Sequence, residues 1–177
     1  MKTLVVYESL WGNTEQIARA VAAGLGDAMN VDVVEVGDAP AVPGDDVNLV
    51  VVCGPTHAFS MSRPDTRLEA VARGASNTAP GPGIREWIAA LPSASSGLIV
   101  ATFDTRVEKV RRLPGSAASK AGKLLNHLGY VQVLDPESFY VAAVPGPLLD
   151  GEIDRARVWG GRLGDAVREH LNARTLQ

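Results

Sequence analysis

Val5-Val6-Tyr7-Glu8-Ser9-Leu10-Trp11-Gly12-Asn13-Thr14-Glu15-Gln16-Ile17-Ala18 changes physical character twice within fourteen residues. Leu4 to Tyr7 is a short unbroken apolar run, the pattern of a strand covered on both faces, and Glu8 ends it. Beyond the turn, Ile17, Val21 and Leu25 recur every four residues with Ala18 and Ala22 beside them. That spacing predicts an amphipathic helix, closed at Gly26-Asp27. A strand that passes through a turn into a helix aims successive backbone N–H groups at one point, where the helix dipole adds partial positive charge. Ser9, Asn13 and Thr14 can add hydroxyl and amide hydrogen bonds, and Gly12 permits close backbone approach. Such a nest suits a dianionic phosphate with no basic side chain, and no Lys or Arg lies between Ser9 and Thr14. Read alone, the same residues could simply cap a helix.

The alternation of strand and helix continues. Val31 to Val36 reads as a strand and Leu49 to Cys53 as a buried one; Arg63 to about Ser76 reads as helix. A Gly/Pro linker, Thr78-Ala79-Pro80-Gly81-Pro82-Gly83, precedes a short helix from Ile84 to Leu91 with Trp87 and Ile88 inward. Gly97 to Phe103 is the next strand and Ser116 to Leu128 the next helix. Tyr130 to Val141 carries a strand interrupted by Asp135-Pro136. Ile153, Ala156, Gly160, Leu163, Val167 and Leu171 mark one face of a closing helix. The class is α/β with a largely parallel sheet, in a single domain over residues 1–177.

With 177 residues and a net charge of −3, the chain can bury a sizeable core and offers no electrostatic reason to expect nucleic acid or a membrane surface. The N-terminal apolar run is too short for a signal peptide, and no stretch approaches spanning length, so a cytoplasmic location is expected. One cysteine, Cys53, excludes an internal disulfide and fits a reducing compartment. A phosphatase loop needs an Arg shortly after its Cys, whereas the next is Arg63. The signatures of a nucleotide triphosphatase, a nucleophile elbow and a metal cluster are absent. A receiver domain needs an Asp where Gly54 stands.

The segment Val5 to Thr14, followed by Ile17-Ala18, resembles the N-terminal signature of flavodoxins and flavodoxin-like proteins. The resemblance implies a doubly wound three-layer sandwich with a five-stranded parallel sheet of order 2-1-3-4-5. It also implies FMN as cofactor, its 5′-phosphate in the loop Ser9, Leu10, Trp11, Gly12, Asn13, Thr14. Two further loops would clasp the ring. One is Cys53-Gly54-Pro55-Thr56-His57-Ala58-Phe59-Ser60, similar to that of many flavodoxin-like oxidoreductases. The other is Thr102-Phe103-Asp104-Thr105-Arg106, with Asp104 where flavodoxins often carry an acidic residue. From these loops Pro55, Thr56, His57, Ala58, Phe59, Thr102, Phe103, Asp104 and Arg106 are expected to bind the cofactor. Phe59 and Phe103 are the candidates for flanking the ring, though Phe103 could equally close the core. Trp11 either packs on the first helix or walls the cofactor, the packing role being favoured. His57 is expected to touch the flavin without transferring an essential proton.

Three features depart from typical flavodoxins. The chain is close to neutral, Val107 falls near the position of the usual stacking Tyr, and Arg106, Lys109, Arg111 and Arg112 make the second ring loop basic. The implied function is an electron carrier between redox partner proteins, an NAD(P)H-dependent reductase and an acceptor. The alternatives are an NAD(P)H-dependent FMN oxidoreductase of quinone-reductase type and a flavin-free binding module. Basic surroundings would penalise a reduced, anionic flavin less than an acidic shell does, giving a less negative potential.

Overall fold

The computed structural model describes residues 1–26, 29–75, 81–94 and 97–175. Among the described residues, strands β1 (Lys2–Tyr7), β2 (Asn30–Glu35), β3 (Val47–His57), β4 (Ser60–Met61), β5 (Ile99–Val107), β6 (Val131–Gln132) and β7 (Glu137–Val141) are interspersed with five α-helices. These are α1 (Asn13–Leu25), α2 (Pro64–Ala72), α3 (Ile84–Ala90), α4 (Ala117–His127) and α5 (Glu152–Thr175). The main sheet runs β2-β1-β3-β5-β6, all parallel; β7 also pairs with β5, and β4 folds back antiparallel on β3. The order 2-1-3-4-5 is therefore present, with the fifth position shared by β6 and β7. They meet different stretches of β5, Ile99–Val100 and Phe103–Val107, and the break between them falls at Asp135-Pro136, where proline cannot donate to a ladder.

Period-two alternation explains why the strands read as unbroken apolar runs. Val5, Tyr7, Leu49, Val51, Cys53, Ile99, Ala101 and Phe103 face the layer of α1 and α5. Leu4, Val6, Val50, Val52 and Val100 face the layer of α3 and α4. Each fully buried aliphatic side chain contributes about 1.5–3 kcal/mol, so both layers are driven by the same burial. Helices α1 and α5 cross closely at Gly24 and Gly160. A Cβ on Gly160 would lie 2.3 Å from the Val21 carbonyl oxygen, and one on Gly24 would lie 2.0 Å from that of Arg157. Among the described residues no helix is long and apolar enough to cross a membrane, and no cluster of His, Cys, Asp or Glu could hold a metal ion.

Two expected loops are strand. β3 continues through Gly54-Pro55-Thr56-His57 to a tight hairpin at Ala58-Phe59, and β5 continues through Asp104, Thr105 and Arg106 to Val107. Polar residues do not resemble a buried strand, yet Thr102 and Asp104 each bond one side-chain oxygen to α4. Thr102 Oγ1 donates to Ala118 O at 3.1 Å, and Asp104 Oδ2 accepts from Ala118 N at 2.9 Å. α2 stops at Ala72, with its last turn closed by Arg73. Ser76 and the linker residues Thr78 to Pro80 lie outside the described residues.

Candidate functional site

The ends of β1, β3 and β5 open onto one cleft of about 270 Å³, whose remaining wall comes from α2 and the turn after β7. Its floor is the β1–α1 turn. Gly12 sits there at φ +79°, a left-handed conformation natural to glycine, and caps α1 without a side-chain hydrogen bond. The amides of Trp11, Gly12, Asn13 and Thr14 donate to no acceptor among the described residues; Glu15 N donates to Ser9 Oγ at 3.3 Å. Four amides without an acceptor among the described residues thus lie at the positive end of a thirteen-residue helix, a backbone arrangement of the kind that can bind an anion.

The turn is held from three sides. Leu10, with Trp11 beside it, packs on Ala70 and Ala75. Thr14 Oγ1 and Thr105 Oγ1 share a hydrogen bond at 2.7 Å, and Asn13 Nδ2 donates to Pro145 O at 3.2 Å. Beneath it, the buried Glu8 carboxylate accepts from the Ser62 hydroxyl and, at 3.0 Å, from Ile84 N. Arg67 completes this network, donating to Ser62 Oγ at 2.9 Å and pairing with Glu86 at 3.1 Å. Burial raises the Glu8 pKa above its ordinary value, against the lowering pull of the Ser62 and Ile84 donors and of Arg67. In the sequence Glu8 only ended an apolar run; the structure makes it the tie between β1, β4, α2 and α3. Its sole signal was a carboxylate immediately after a fully buried strand.

Of the expected residues, Ser9, Leu10, Trp11, Asn13, Thr14, Pro55, Thr56, His57, Ala58 and Arg106 line the cleft. Thr56 also serves the scaffold, its Oγ1 accepting from Ala117 N at 2.8 Å at the start of α4. His57 is pushed below its ordinary pKa by burial and then by the nearby Arg67 cation, both of which favour the neutral imidazole.

Gly12, Phe59, Thr102, Phe103 and Asp104 do not line it. Gly12 supplies the turn and no wall. Phe103 is wholly buried in edge-to-face contact with Phe139 and Trp159, with centroids 5.5 and 5.8 Å away, so it closes the core and flanks no cleft. Thr102 and Asp104 face α4 through the hydrogen bonds above. Phe59 is 42% exposed beside Gly115, because the hairpin holds Ala58 and Phe59 both left-handed, at φ 46° and 61°. Such φ values in non-glycine residues cost about 1–3 kcal/mol each.

Sequence reasoning missed the contribution of α2, through Thr66, Glu69, Ala70 and Arg73, and that of Val141 and Val144. It also passed over Thr105, which alternation places on the same face of β5 as Phe103 but one step beyond the core.

Arg106 is distinctive. It is only 6% exposed, and Nη2 donates to Val110 O at 2.6 Å and Leu113 O at 3.2 Å. Nε is buried without a partner, and among the described residues no carboxylate pairs with the guanidinium. Trp11 Nε1 is a second buried donor left unpaired on a cleft-lining residue.

Residues 5–71 match the flavodoxin family model. A flavodoxin from the domain Archaea superposes with a TM-score of 0.63 at 18% identity, covering 95% of this chain and 99% of that one. Oxidised flavodoxin 2 from Bacillus cereus gives 0.63 at 17% identity, covering 96% and 99%. A WrbA-like flavodoxin from Agrobacterium tumefaciens gives 0.58 at 17% identity, covering 96% and 98%. No curated protein matches the chain in sequence. Residues 5–71 are thus similar in sequence to flavodoxins, and the whole chain has the flavodoxin fold.

Proposed function

We propose that the protein binds FMN in this cleft and carries electrons between redox partners. The observation that carries the reading is the set of four unpaired amides at the β1–α1 turn, opening into a cleft walled by the ends of β3 and β5. The donor set suits the cofactor: amides and hydroxyls for a dianionic phosphate, and two unpaired buried donors, Trp11 Nε1 and Arg106 Nε, on lining residues. Bound FMN would supply one- and two-electron chemistry; the chain supplies binding, orientation and electrostatics.

Ser9, Gly12, Asn13 and Thr14 hold the phosphate in this reading, with the Thr14–Thr105 hydrogen bond fixing the loop to β5. Pro55, Thr56, His57 and Ala58 form one wall for the ring; Thr105, Arg106 and Val107 form the other. Neutral His57 can donate or accept one hydrogen bond there without adding charge.

Titration of the purified protein with FMN tests the reading. Flavin fluorescence should be quenched at one equivalent, with inorganic phosphate competing. Gly12→Ala should weaken binding about tenfold, because an L-residue in the left-handed turn costs about 1–2 kcal/mol. A protein that leaves flavin fluorescence unchanged would falsify it.

A second reading, an NAD(P)H-dependent oxidoreductase, is favoured by one observation. Lys109 and Arg112, exposed on the segment that follows the cleft strand β5, have no ion-pair partner among the described residues and could meet the phosphates of a dinucleotide. Anaerobic NADPH separates the two: bleaching of the FMN-loaded protein without a reductase indicates the enzyme, and persistence of colour the carrier.

A further inference from the structure

A guanidinium taken out of water normally has a carboxylate or a full set of acceptors, because an uncompensated buried cation is costly. Arg106 has neither. Two carbonyls, Val110 O and Leu113 O, satisfy Nη2; Nε has no partner, and no described acceptor takes a hydrogen bond from Nη1. The acid on its own strand, Asp104, feels the Arg106 charge but forms no ion pair with it, and its Oδ2 accepts from Ala118 N. Burial also raises the Asp104 pKa, which weakens it as a counter-charge. The bonds to Val110 and Leu113 hold the guanidinium of this cleft-lining residue in place without a ligand.

Resting on the FMN reading, we propose that Arg106 is the charge-compensating residue of the site. Its unused N–H groups receive the negative charge that the cofactor's ring system gains on two-electron reduction, so the reduced form is bound more tightly than the oxidised one. The oxidised ring is neutral and gains only a hydrogen bond, whereas the reduced ring gains a charge-assisted one, roughly twice as strong. The ring takes up two electrons and one proton, as hydride from NAD(P)H or as electrons from a reductase with a proton from solvent, which leaves one negative charge on it. The electrons leave to an acceptor, and Arg106 neither gives nor takes a proton, since its guanidinium stays charged throughout. The function of the residue is thereby narrowed to setting the potential.

The test compares wild type, Arg106→Gln and Arg106→Lys by FMN affinity and by two-electron midpoint potential against indicator dyes. In wild type, reduced FMN should bind at least tenfold more tightly than oxidised FMN, placing the bound potential about 30 mV or more above that of free FMN. In Arg106→Gln the ratio of the two affinities should fall tenfold or more, lowering the potential by about 30 mV or more, while oxidised affinity changes less than threefold. Arg106→Lys, which keeps the charge, should retain more than half of the shift. The double variant Lys109→Gln/Arg112→Gln, which leaves Arg106 in place, should change the ratio less than twofold.

Equal loss of both affinities in Arg106→Gln would show a plain anchor and overturn the proposal, as would an unchanged potential. A shift produced by the Lys109/Arg112 variant alone would assign the effect to the loop instead. Should Arg106→Gln not fold, the wild-type affinity ratio and Arg106→Lys still decide. Failure of wild type to take up FMN would remove the cofactor reading itself, a result distinct from FMN uptake with an unshifted potential.

Discussion

Asp104 has no solvent exposure, and burial drives its pKa above the ordinary 3.8, opposed by the hydroxyls of Ser116 and Ser138, the Ala118 amide and the Arg106 charge. A carboxyl whose folded pKa is raised binds its proton more tightly in the folded than in the unfolded state. Its contribution to stability is therefore complete below 3.8 and declines as pH rises through the raised folded value. Glu8, raised from 4.5 mainly by burial, acts with the same sign. Asp104→Asn keeps an acceptor for the Ala118 amide and removes the titration. Urea midpoints measured from pH 4 to 8 should thus fall less steeply for Asp104→Asn than for wild type, and parallel slopes would contradict the burial argument. At this scale the sequence was least legible. It placed Asp104 beside a ring and Phe103 at even odds between ring and core, because a strand end and a loop start look alike until helix α4 supplies partners for Thr102 and Asp104. Arg106 was legible as a cation near the cleft; its missing partners were not, since they depend on where Val110 and Leu113 return.

Helices α1 and α5 and the first three strands were read from their apolar patterns, and runs such as Leu49 to Cys53 are buried on both faces. What periodicity could not show was where β3 and β5 end. Their last residues are polar and serve the cleft, so their strand character comes from pairing across the sheet and not from their own hydrophobicity. The contact between α1 and α5 was equally hidden, although Gly160 had been placed on the inward face. Intrinsic propensity favours Ala over Gly in a helix by about 1 kcal/mol. At Gly24 that gain is outweighed, since the added carbon would meet the Arg157 carbonyl at 2.0 Å, backbone that no rotamer change can move. At Gly161 the nearest atom is Gly24 O at 3.6 Å, an ordinary contact. Gly24→Ala should destabilise by about 1–3 kcal/mol, whereas Gly161→Ala should be neutral or stabilising by up to about 1 kcal/mol. Chemical denaturation of the two variants checks this; the same sign for both would mean that the helices do not cross at these glycines.

The cleft is assembled from residues 9–14, 55–58, 66–73 and 105–107 with the turn after β7, segments that only the complete sheet order brings together. Unfolding disperses the four amides and the walls at once, so a ligand that needs them all binds the native state alone. Mass action then stabilises the protein by about 2.7 kcal/mol at a free FMN concentration of one hundred times Kd. For a chain of 177 residues this corresponds to a rise in Tm of about 5–10 °C. Riboflavin shares the ring system but lacks the phosphate that the β1–α1 turn is proposed to hold. At the same concentration it should raise Tm by less than half as much, because in the proposed mode the dianion would accept charge-assisted hydrogen bonds from the unpaired amides of Trp11, Gly12, Asn13 and Thr14. Differential scanning fluorimetry with both flavins measures the difference. Equal stabilisation by the two would mean that the turn contributes nothing to affinity, and the phosphate would have to be placed elsewhere on the molecule.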